Sequence, residues 1–89
     1  MKLVVTVVGK DRVGIIARVT KVLADNNVNI LSINQSIMEG FFTMLLIAEI
    51  SESKVKLTEL QKVLKDEGEK INVDIKAQHE DIFNVMHNV

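Results

Sequence analysis

The sequence contains no cysteine and no proline, and its three aromatic residues are all phenylalanine. Without cysteine, the chain has no disulfide framework, no thiolate nucleophile and no cysteine-based metal site. Without proline, and without a serine- or glycine-rich tract, nothing in the sequence marks a linker between domains. The 89 residues therefore predict one domain in a reducing compartment, which we expect to be the cytoplasm.

Charge is nearly balanced, because 11 Lys and Arg residues stand against 12 Asp and Glu residues, for a formal net charge of −1. Nucleic-acid-binding modules usually carry a basic stripe with aromatic side chains among the cations, and this chain has neither. No apolar stretch approaches the ~20 residues that a membrane helix needs. We therefore expect neither a nucleic acid nor a membrane as a partner.

The first half of the chain reads as a strand followed by a helix. A nearly continuous β-branched run over 3–8 is typical of a central strand that is covered on both faces. Apolar residues at helical spacing predict an amphipathic helix over 13–25, with Asp11 as its N-cap. Asn26 and Asn27 can adopt the left-handed conformation that ends a helix.

Two further β-rich runs, over 28–39 and 41–50, are separated by a bend at Gly40, which predicts a hairpin. Polar residues at 34–36 in the first run indicate a polar sheet edge. In the second run, both sets of alternate residues are mostly apolar, so both faces of this strand are apolar.

The second half of the chain predicts a second amphipathic helix that begins near Ser53 and runs either to Gly68 or through it to about Ile71. We favour the longer helix, because Ile71 completes the apolar stripe. Alternation over 73–77 then predicts a half-exposed edge strand. A short helical pattern over 80–87 follows, and a helix of this length is stable only if it docks.

The order β-α-β-β-α-β, with right-handed crossovers, predicts an α+β, ferredoxin-like sandwich in which two helices cover one face of a four-stranded antiparallel sheet. The other face would then expose apolar side chains in a patch larger than a monomer normally tolerates. These side chains belong to Val4, Val8, Leu45 and Ile47, or to the residues that face the other way on the same strands. A second subunit or the C-terminal helix should cover them, so we predict a homodimer or higher homo-oligomer whose interface includes the sheet.

The domain is therefore expected to occupy residues 1–89, with a βαββαβ core over 1–78 and a C-terminal helical extension over 79–89. The extension should dock through Ile82, Phe83 and Met86.

The segment GKDRVGI, residues 9–15, joins the first strand to the first helix. Free N–H groups and the positive end of the helix dipole attract a carboxylate there, and Lys10 and Arg12 add positive charge. Gly14 allows a ligand to approach the backbone. The alternative is structural, with Asp11 only capping the helix and the glycines only turning the chain.

The pattern Gly-x-Asp-Arg-x-Gly-Ile-Ile-Ala after a β-branched strand, with Leu-Ala-Asp-Asn-Asn-Val-Asn-Ile at the second strand, resembles the ACT domain, a regulatory small-molecule module of amino-acid metabolism. The resemblance covers all six main elements. The C-terminal HEDIFNVMH further resembles a bacterial and archaeal family of stand-alone ACT proteins. These are similar to the ACT segments of formyltetrahydrofolate deformylase and of the glycine-cleavage regulator.

In ligand-binding ACT domains the ligand lies between the first loop and helix start of one chain and neighbouring strands, usually where two ACT units meet. The resemblance implies a small-molecule ligand, such as an amino acid or related carboxylate, and an unidentified protein target. It implies a site formed by Gly9, Asp11, Arg12, Val13, Gly14, Ile15, Asn29 and Ile30. Val13 departs from the pattern, since many ACT loops have proline there, and the loop loses some preorganisation.

Asn29 has two interpretations. Its side-chain amide offers donors and acceptors that could pair with the backbone groups of an amino acid. It could equally be a turn residue at the entry to the strand.

No catalytic, metal or cofactor site is predicted. No Ser/His/Asp set is recognisable, and His79 and His87 match no metal-ligand spacing. A ferredoxin-like enzyme such as an acylphosphatase needs a glycine-rich phosphate cradle with an arginine and a distant asparagine. Arg12 with Asn29 or Asn34 could imitate these roles, but the repeated glycines are missing. The remaining alternatives are a non-enzymatic regulatory binding module and an interaction domain without a ligand.

Overall fold

The computed structural model describes residues 1–10 and 13–81, which form a four-stranded antiparallel sheet and two helices. The elements in chain order are β1 (Lys2–Lys10), α1 (Ile15–Asp25), β2 (Asn29–Met38), β3 (Phe41–Glu49), α2 (Leu57–Ile71) and β4 (Val73–His79). The strand order is β2-β3-β1-β4, with β1 in the interior and β4 at an edge. This confirms the predicted ferredoxin-like sandwich. Most of the predicted C-terminal helix, from residue 82 onwards, lies outside the described residues.

The core lies between the two helices and one face of the sheet. Alternate residues of β1, β3 and β4 point into it, as the period of two in a strand requires. Helices α1 and α2 contribute the apolar stripes that the helical spacing predicts. The largest fully buried side chains are Leu3, Ile15, Leu23, Met44, Leu46, Leu60 and Leu64.

Strand β2 is the exception, because none of its residues is buried. Ile33 pairs with Leu46 and Ile37 pairs with Phe42, so both isoleucines face the helical side of the sheet. They are nevertheless 42% and 60% exposed. The polar residues at 34–36 are exposed on this edge, as predicted.

Helix α1 begins at Ile15, two residues later than predicted. Gly14 is its N-cap and has a φ of 93°, a left-handed conformation that favours glycine. Val13 therefore lies in the turn and not in the helix. Asp11, the predicted cap, lies outside the described residues. At the other end, Asn27 has a φ of 60° and ends the helical segment as predicted.

Helix α2 begins at Leu57, so the predicted start near Ser53 is wrong. The Ser53 hydroxyl accepts a hydrogen bond from the Val55 N–H at 3.2 Å and donates one to the Val55 carbonyl at 2.8 Å. These local bonds hold Ser53 in a turn, an alternative to capping that serine often takes. The predicted end at Ile71 is confirmed.

The hairpin between β2 and β3 turns at Glu39 and Gly40, whose φ values are 52° and 82°. Two consecutive left-handed residues match the right-handed twist of the flanking strands. The predicted bend at Gly40 is therefore confirmed.

The sheet face opposite the helices is only partly open. Val8 is 47% exposed, as expected, while Leu45 and Ile47 are half-buried. Val4 is only 4% exposed, so this part of the face is not open. A side chain on an uncovered sheet face does not become this inaccessible unless other groups lie over it.

Gly68 lies where α2 approaches β4 most closely. A Cβ atom at this position would lie 2.6 Å from the Val73 carbonyl oxygen and 3.1 Å from the Ile75 Cγ1 atom. Glycine in the helix interior is therefore explained by the close packing of helix against strand.

We predict that Gly68→Ala destabilises the protein, although alanine is the better helix former by about 1 kcal/mol. Overpacking against the β4 backbone costs about 1–3 kcal/mol and should outweigh that gain. Urea unfolding measures the difference, with Glu69→Ala on the exposed side of α2 as a control expected within ~0.5 kcal/mol of the parent. A Gly68→Ala protein at least as stable as the parent would contradict the close packing.

Candidate functional site

The start of α1 presents backbone N–H groups at one end of the sheet. The Arg18 N–H donates to the Gly14 carbonyl at 3.0 Å, which closes the first turn. No side-chain cap hydrogen bond is found at Gly14 within the described part of the chain, and the first turn contains no acidic residue. The leading N–H groups and the positive end of the helix dipole therefore favour an anion here.

Lys10 adds positive charge at the same end. It is the last residue of β1, it is exposed, and no acidic side chain among residues 1–10 and 13–81 forms an ion pair with it. Its ammonium group is thus available to attract a carboxylate. Arg12 and Asp11, two of the predicted site residues, lie outside the described residues.

Two predicted residues of the loop have structural roles. A Cβ atom on Gly9 would lie 2.6 Å from the Val73 Cγ1 atom, so the packing of β1 beside β4 explains this glycine. The Ile15 side chain is buried in the core, which leaves only its backbone for a ligand. Val13, in contrast, is fully exposed.

Asn29 begins β2 at the other end of the sheet. Its side chain is exposed, and no hydrogen bond joins its amide to another described residue. Beside it, the Asn27 Nδ2 atom donates to the Glu52 carbonyl at 2.9 Å. These residues line an open groove of about 430 Å³ together with Ala24 and Val28. Ile30 packs against the core.

Sequence reasoning did not identify Asn27 and Glu52 as neighbours of this groove. The only signal was the Asn26-Asn27 pair at the end of α1, which predicts a turn but says nothing about the loop that packs against it.

Glu49 pairs with Asn29 in the strand register. The pKa of the Glu49 carboxyl lies below its ordinary value, chiefly because the Met1 amino group donates a hydrogen bond to it at 2.5 Å. The carboxylate is ionised but balanced by this amino group. The Asn29 amide beside it is uncharged and exposed.

The two halves of the predicted site are far apart within one chain. Gly9 pairs with Phe42, which pairs with Ile37, whereas Asn29 lies at the opposite end of β2. Eight residues of strand at ~3.3 Å each separate Ile37 from Asn29 by roughly 25 Å. A small ligand cannot touch the loop and Asn29 of the same chain.

A second groove, also of about 430 Å³, runs between α1 and α2. Arg18 donates to Glu67 across it at 3.0 Å, and Lys21 pairs with Asp25 at 2.8 Å. The hydrogen bond from Lys21 to Asp25 raises the pKa of Lys21. Because these charged groups already neutralise one another, the groove is a weaker candidate for a charged ligand than the loop.

Neither a metal nor a membrane is indicated in the described part of the chain. Residues 1–10 and 13–81 contain no group of three or more His, Cys, Asp or Glu side chains that could hold a metal ion. His79 accepts a hydrogen bond from the Asp81 N–H at 3.0 Å, so it serves a local turn. Neither α1 nor α2 is long and apolar enough to cross a membrane.

Comparison with known proteins identifies the family. The ACT domain model matches residues 1–78. A UPF0237 protein of Clostridium perfringens is 51% identical over 89 residues, which is 100% of both chains. The solved structure of an ACT domain protein from Streptococcus pneumoniae is 37% identical, with a TM-score of 0.82 and coverage of 93% of both chains.

Two larger proteins share the fold in part. A protein assigned as a glycine cleavage system transcriptional repressor is 26% identical, with a TM-score of 0.76 over 86% of this chain and 44% of its own. The formyltetrahydrofolate deformylase of Pseudomonas syringae, at 22% identity, shares the fold alone, with a TM-score of 0.80 over 88% of this chain and 27% of its own. These matches confirm the resemblance found in the sequence, and the chain belongs to the ACT domain family.

Proposed function

We propose that the protein is a regulatory module that acts as a homodimer, binds an amino acid or a related small carboxylate between the two chains, and passes the signal to another protein. One observation carries the proposal: β2 is an exposed edge strand without charge or proline. Its pairing with a second copy would join the two separated halves of the site.

The edge of β2 has little of the usual protection against pairing. Its sequence NILSINQSIM contains no charged residue and no proline, and its one irregularity is a register shift near Leu31. The opposite edge, β4, carries Asp74, Lys76 and His79. Proteins normally place charges, proline or bulges on exposed edges to prevent association. The contrast between the two edges supports β2 as the strand that pairs.

Side-chain exposure supports the same pairing. Leu31, Ile33 and Ile37 are large apolar residues on β2, and each is exposed by more than a third. A monomer leaves them in contact with water, whereas a second copy beside β2 would bury part of their surface. Each fully buried side chain of this kind contributes about 1.5–3 kcal/mol.

An isologous interface brings the same strand from both copies together. A two-fold axis beside β2 therefore pairs the two β2 strands in antiparallel orientation. If the axis passes between Ile33 and Asn34, Asn29 lies opposite the partner's Met38. Met38 pairs with Phe41 at the end of the sheet where Lys10 and the α1 start lie. Asn29 of one chain is then about three strand spacings, ~14 Å, from the partner's β1 instead of ~25 Å from its own loop.

The chemistry of the combined site suits a small carboxylate. The carboxylate would accept hydrogen bonds from the N–H groups at the start of α1, with Lys10 and Arg12 supplying attraction. The Asn29 amide of the other chain would bind the remaining polar group, for which its donor and acceptor atoms suit the amine of an amino acid. The ACT family and the likeness to a protein assigned as a transcriptional repressor support a regulatory role without catalysis.

We predict that Asn34→Lys weakens the dimer by roughly tenfold or more, because each lysine would face the other copy near the two-fold axis. Sedimentation velocity over a dilution series measures the effect. Thr58→Lys, an exposed change of the same charge on α2, is the matched control and should leave the dimer intact. Equal dimer affinity in both variants would remove β2 from the interface.

For the ligand, we predict a hit in a thermal-shift screen of amino acids and folate-pathway metabolites. A ligand at 100 times its dissociation constant adds about 2.7 kcal/mol of stability, which is a clear shift for a domain of this size. A screen without any hit would favour a domain that serves assembly alone.

With the identified metabolite, Asn29→Ala should weaken binding by about 1.5–3 kcal/mol, because it removes the amide that hydrogen-bonds the charged amine of the ligand. Calorimetric titration measures this loss, and sedimentation checks that the variant remains a dimer. Gly14→Val is a less clean test, since its φ of 93° makes any side chain there costly for folding as well. Unchanged affinity in Asn29→Ala would place the site elsewhere.

A further inference from the structure

We infer that the Gln61 side chain closes the β4 edge to a second copy of the chain, so that the sheet extends through β2 but not through β4. The closure of β4 stands on contacts within one chain, whereas the extension through β2 rests on the proposed function. The surface that Gln61 closes is an interface between copies, in which one β4 would pair with another.

The Gln61 side chain binds the backbone of β4. Its Nε2 atom donates to the Ala77 carbonyl at 2.6 Å, although the glutamine itself is exposed. Strand β4 pairs with β1 on one side and is the edge of the sheet on the other. A carbonyl directed at β1 would be taken up by the ladder between the strands. The Ala77 carbonyl therefore points to the open edge, where a further strand would otherwise bond.

The backbone groups of Val73 and Ile75 point the same way. In an antiparallel strand the N–H and C=O groups of one residue face one side, and those of the next residue face the other. At Val73 the carbonyl lies against α2, since a Cβ atom on Gly68 would be 2.6 Å from its oxygen. Helix α2 thus approaches the edge at two points, through Gly68 near Val73 and through Gln61 at Ala77.

The charges on β4 do not exclude a second copy of this strand. Asp74 and Lys76 are both exposed on the outer face, with 3.9 Å between the Asp74 Oδ2 and Lys76 Nζ atoms. If two β4 strands pair about a two-fold axis at Ile75, Asp74 of each copy lies opposite the partner's Lys76. Opposite charges placed directly across an antiparallel pair stabilise it. These charges therefore deter most other strands but suit a second β4.

Gln61 obstructs this pairing. With the axis at Ile75, Ala77 lies opposite the partner's Val73, whose N–H would donate to the Ala77 carbonyl. Gln61 already donates to that carbonyl in each copy, and its amide lies where the partner strand would approach. An open groove of about 210 Å³ runs beside this bond, lined by Gln61, Ala77, Lys65, Gln78 and neighbouring residues. Removal of the amide would leave this stretch of the edge open to a strand.

The closure of β4 decides where assembly ends. If only β2 pairs, a two-fold contact satisfies that edge and the assembly stops at two copies. If β4 pairs as well, two-fold contacts at the two edges alternate, and the sheet continues to grow without closing.

A pair of alanine substitutions on α2 tests the inference. Gln61→Ala removes the amide, while Lys62→Ala makes a change of similar size at the next exposed position and leaves the bond in place. Alanine favours the helix in both cases. Both are made in the Asn34→Lys background, where pairing through β2 is weakened, and are compared by sedimentation velocity over a dilution series. Gln61→Ala should self-associate at least about tenfold more tightly than Lys62→Ala. Equal self-association would overturn the inference.

Charge variants test the register. Asp74→Lys added to Gln61→Ala places a lysine opposite the partner's Lys76 and should reverse the association. The further change Lys76→Asp restores opposite charges across the pair and should restore the association. Gln61→Met, which keeps the length of the side chain but has no donor, replaces Gln61→Ala if circular dichroism shows the alanine variant to be unfolded. Association that ignores both charge changes would overturn the inference.

Hydrogen exchange locates the contact. The Ile75 N–H points to the open edge, so it should exchange rapidly in Lys62→Ala and slowly at concentrations where Gln61→Ala associates. Association without protection of Ile75 would overturn the inference, because the copies would then meet elsewhere.

The chain with Asn34 intact separates this inference from the proposed function. There Gln61→Ala should form species that grow beyond the dimer with concentration, whereas Lys62→Ala should not. If Asn34→Lys leaves the assembly of the parent unchanged, pairing through β2 fails, but the difference between Gln61→Ala and Lys62→Ala still decides whether Gln61 closes β4.

Discussion

Both helices pack on the same face of the sheet, because each right-handed crossover in the βαββαβ order returns the chain on that side. The apolar stripes of α1 and α2 then meet the inward residues of β1, β3 and β4, and nearly all of the core lies there. The same constraint leaves two surfaces without cover, the outer face of the sheet and the β2 edge. The assembly and the ligand chemistry proposed for this protein arise from the second of these surfaces.

The outer face of the sheet and the β2 edge can bind different kinds of partner. The edge of β2 presents unpaired backbone groups, which only another strand satisfies well, whereas the outer face presents apolar side chains, which any apolar group can cover. A second copy of the chain therefore suits the β2 edge, and burial there would add to the limited core of a small domain.

The ordered elements followed from the sequence because their hydrophobic periods are clear. The ferredoxin-like architecture came from the order of the elements and the handedness of the crossovers, and the hairpin at Gly40 and the end of α2 at Ile71 came from turn chemistry and helical spacing. The helix starts did not follow from the sequence in the same way. Gly14 sets the start of α1 through its backbone conformation, and local hydrogen bonds hold Ser53 in a turn before α2. A hydrophobic pattern encodes neither effect. Burial of Val4 was missed for a different reason, since alternation assigns a residue to a face but does not reveal what lies over that face.

The sequence predicted the individual parts of the candidate site but not how the fold arranges them in space. Glycines and an asparagine in the right pattern identified the loop and Asn29, and the helix start has the predicted positive end. The sequence could not reveal that Gly9 and Ile15 serve packing, because a close approach to Val73 and a buried side chain depend on tertiary contacts. Nor could it reveal that the loop and Asn29 lie at opposite ends of the sheet, which depends on the strand register.

The register of β1 also bears on how the chain folds during synthesis. Among the four strands of the sheet, β1 comes first in the sequence yet lies in the interior, and one of its two neighbours, β4, comes fourth. Until His79 emerges, one edge of β1 has no partner, and an apolar nascent strand with an open edge invites association with other chains. The complete sheet therefore forms only after β4 has been made, and the long loop between β1 and β4 that must then close slows folding.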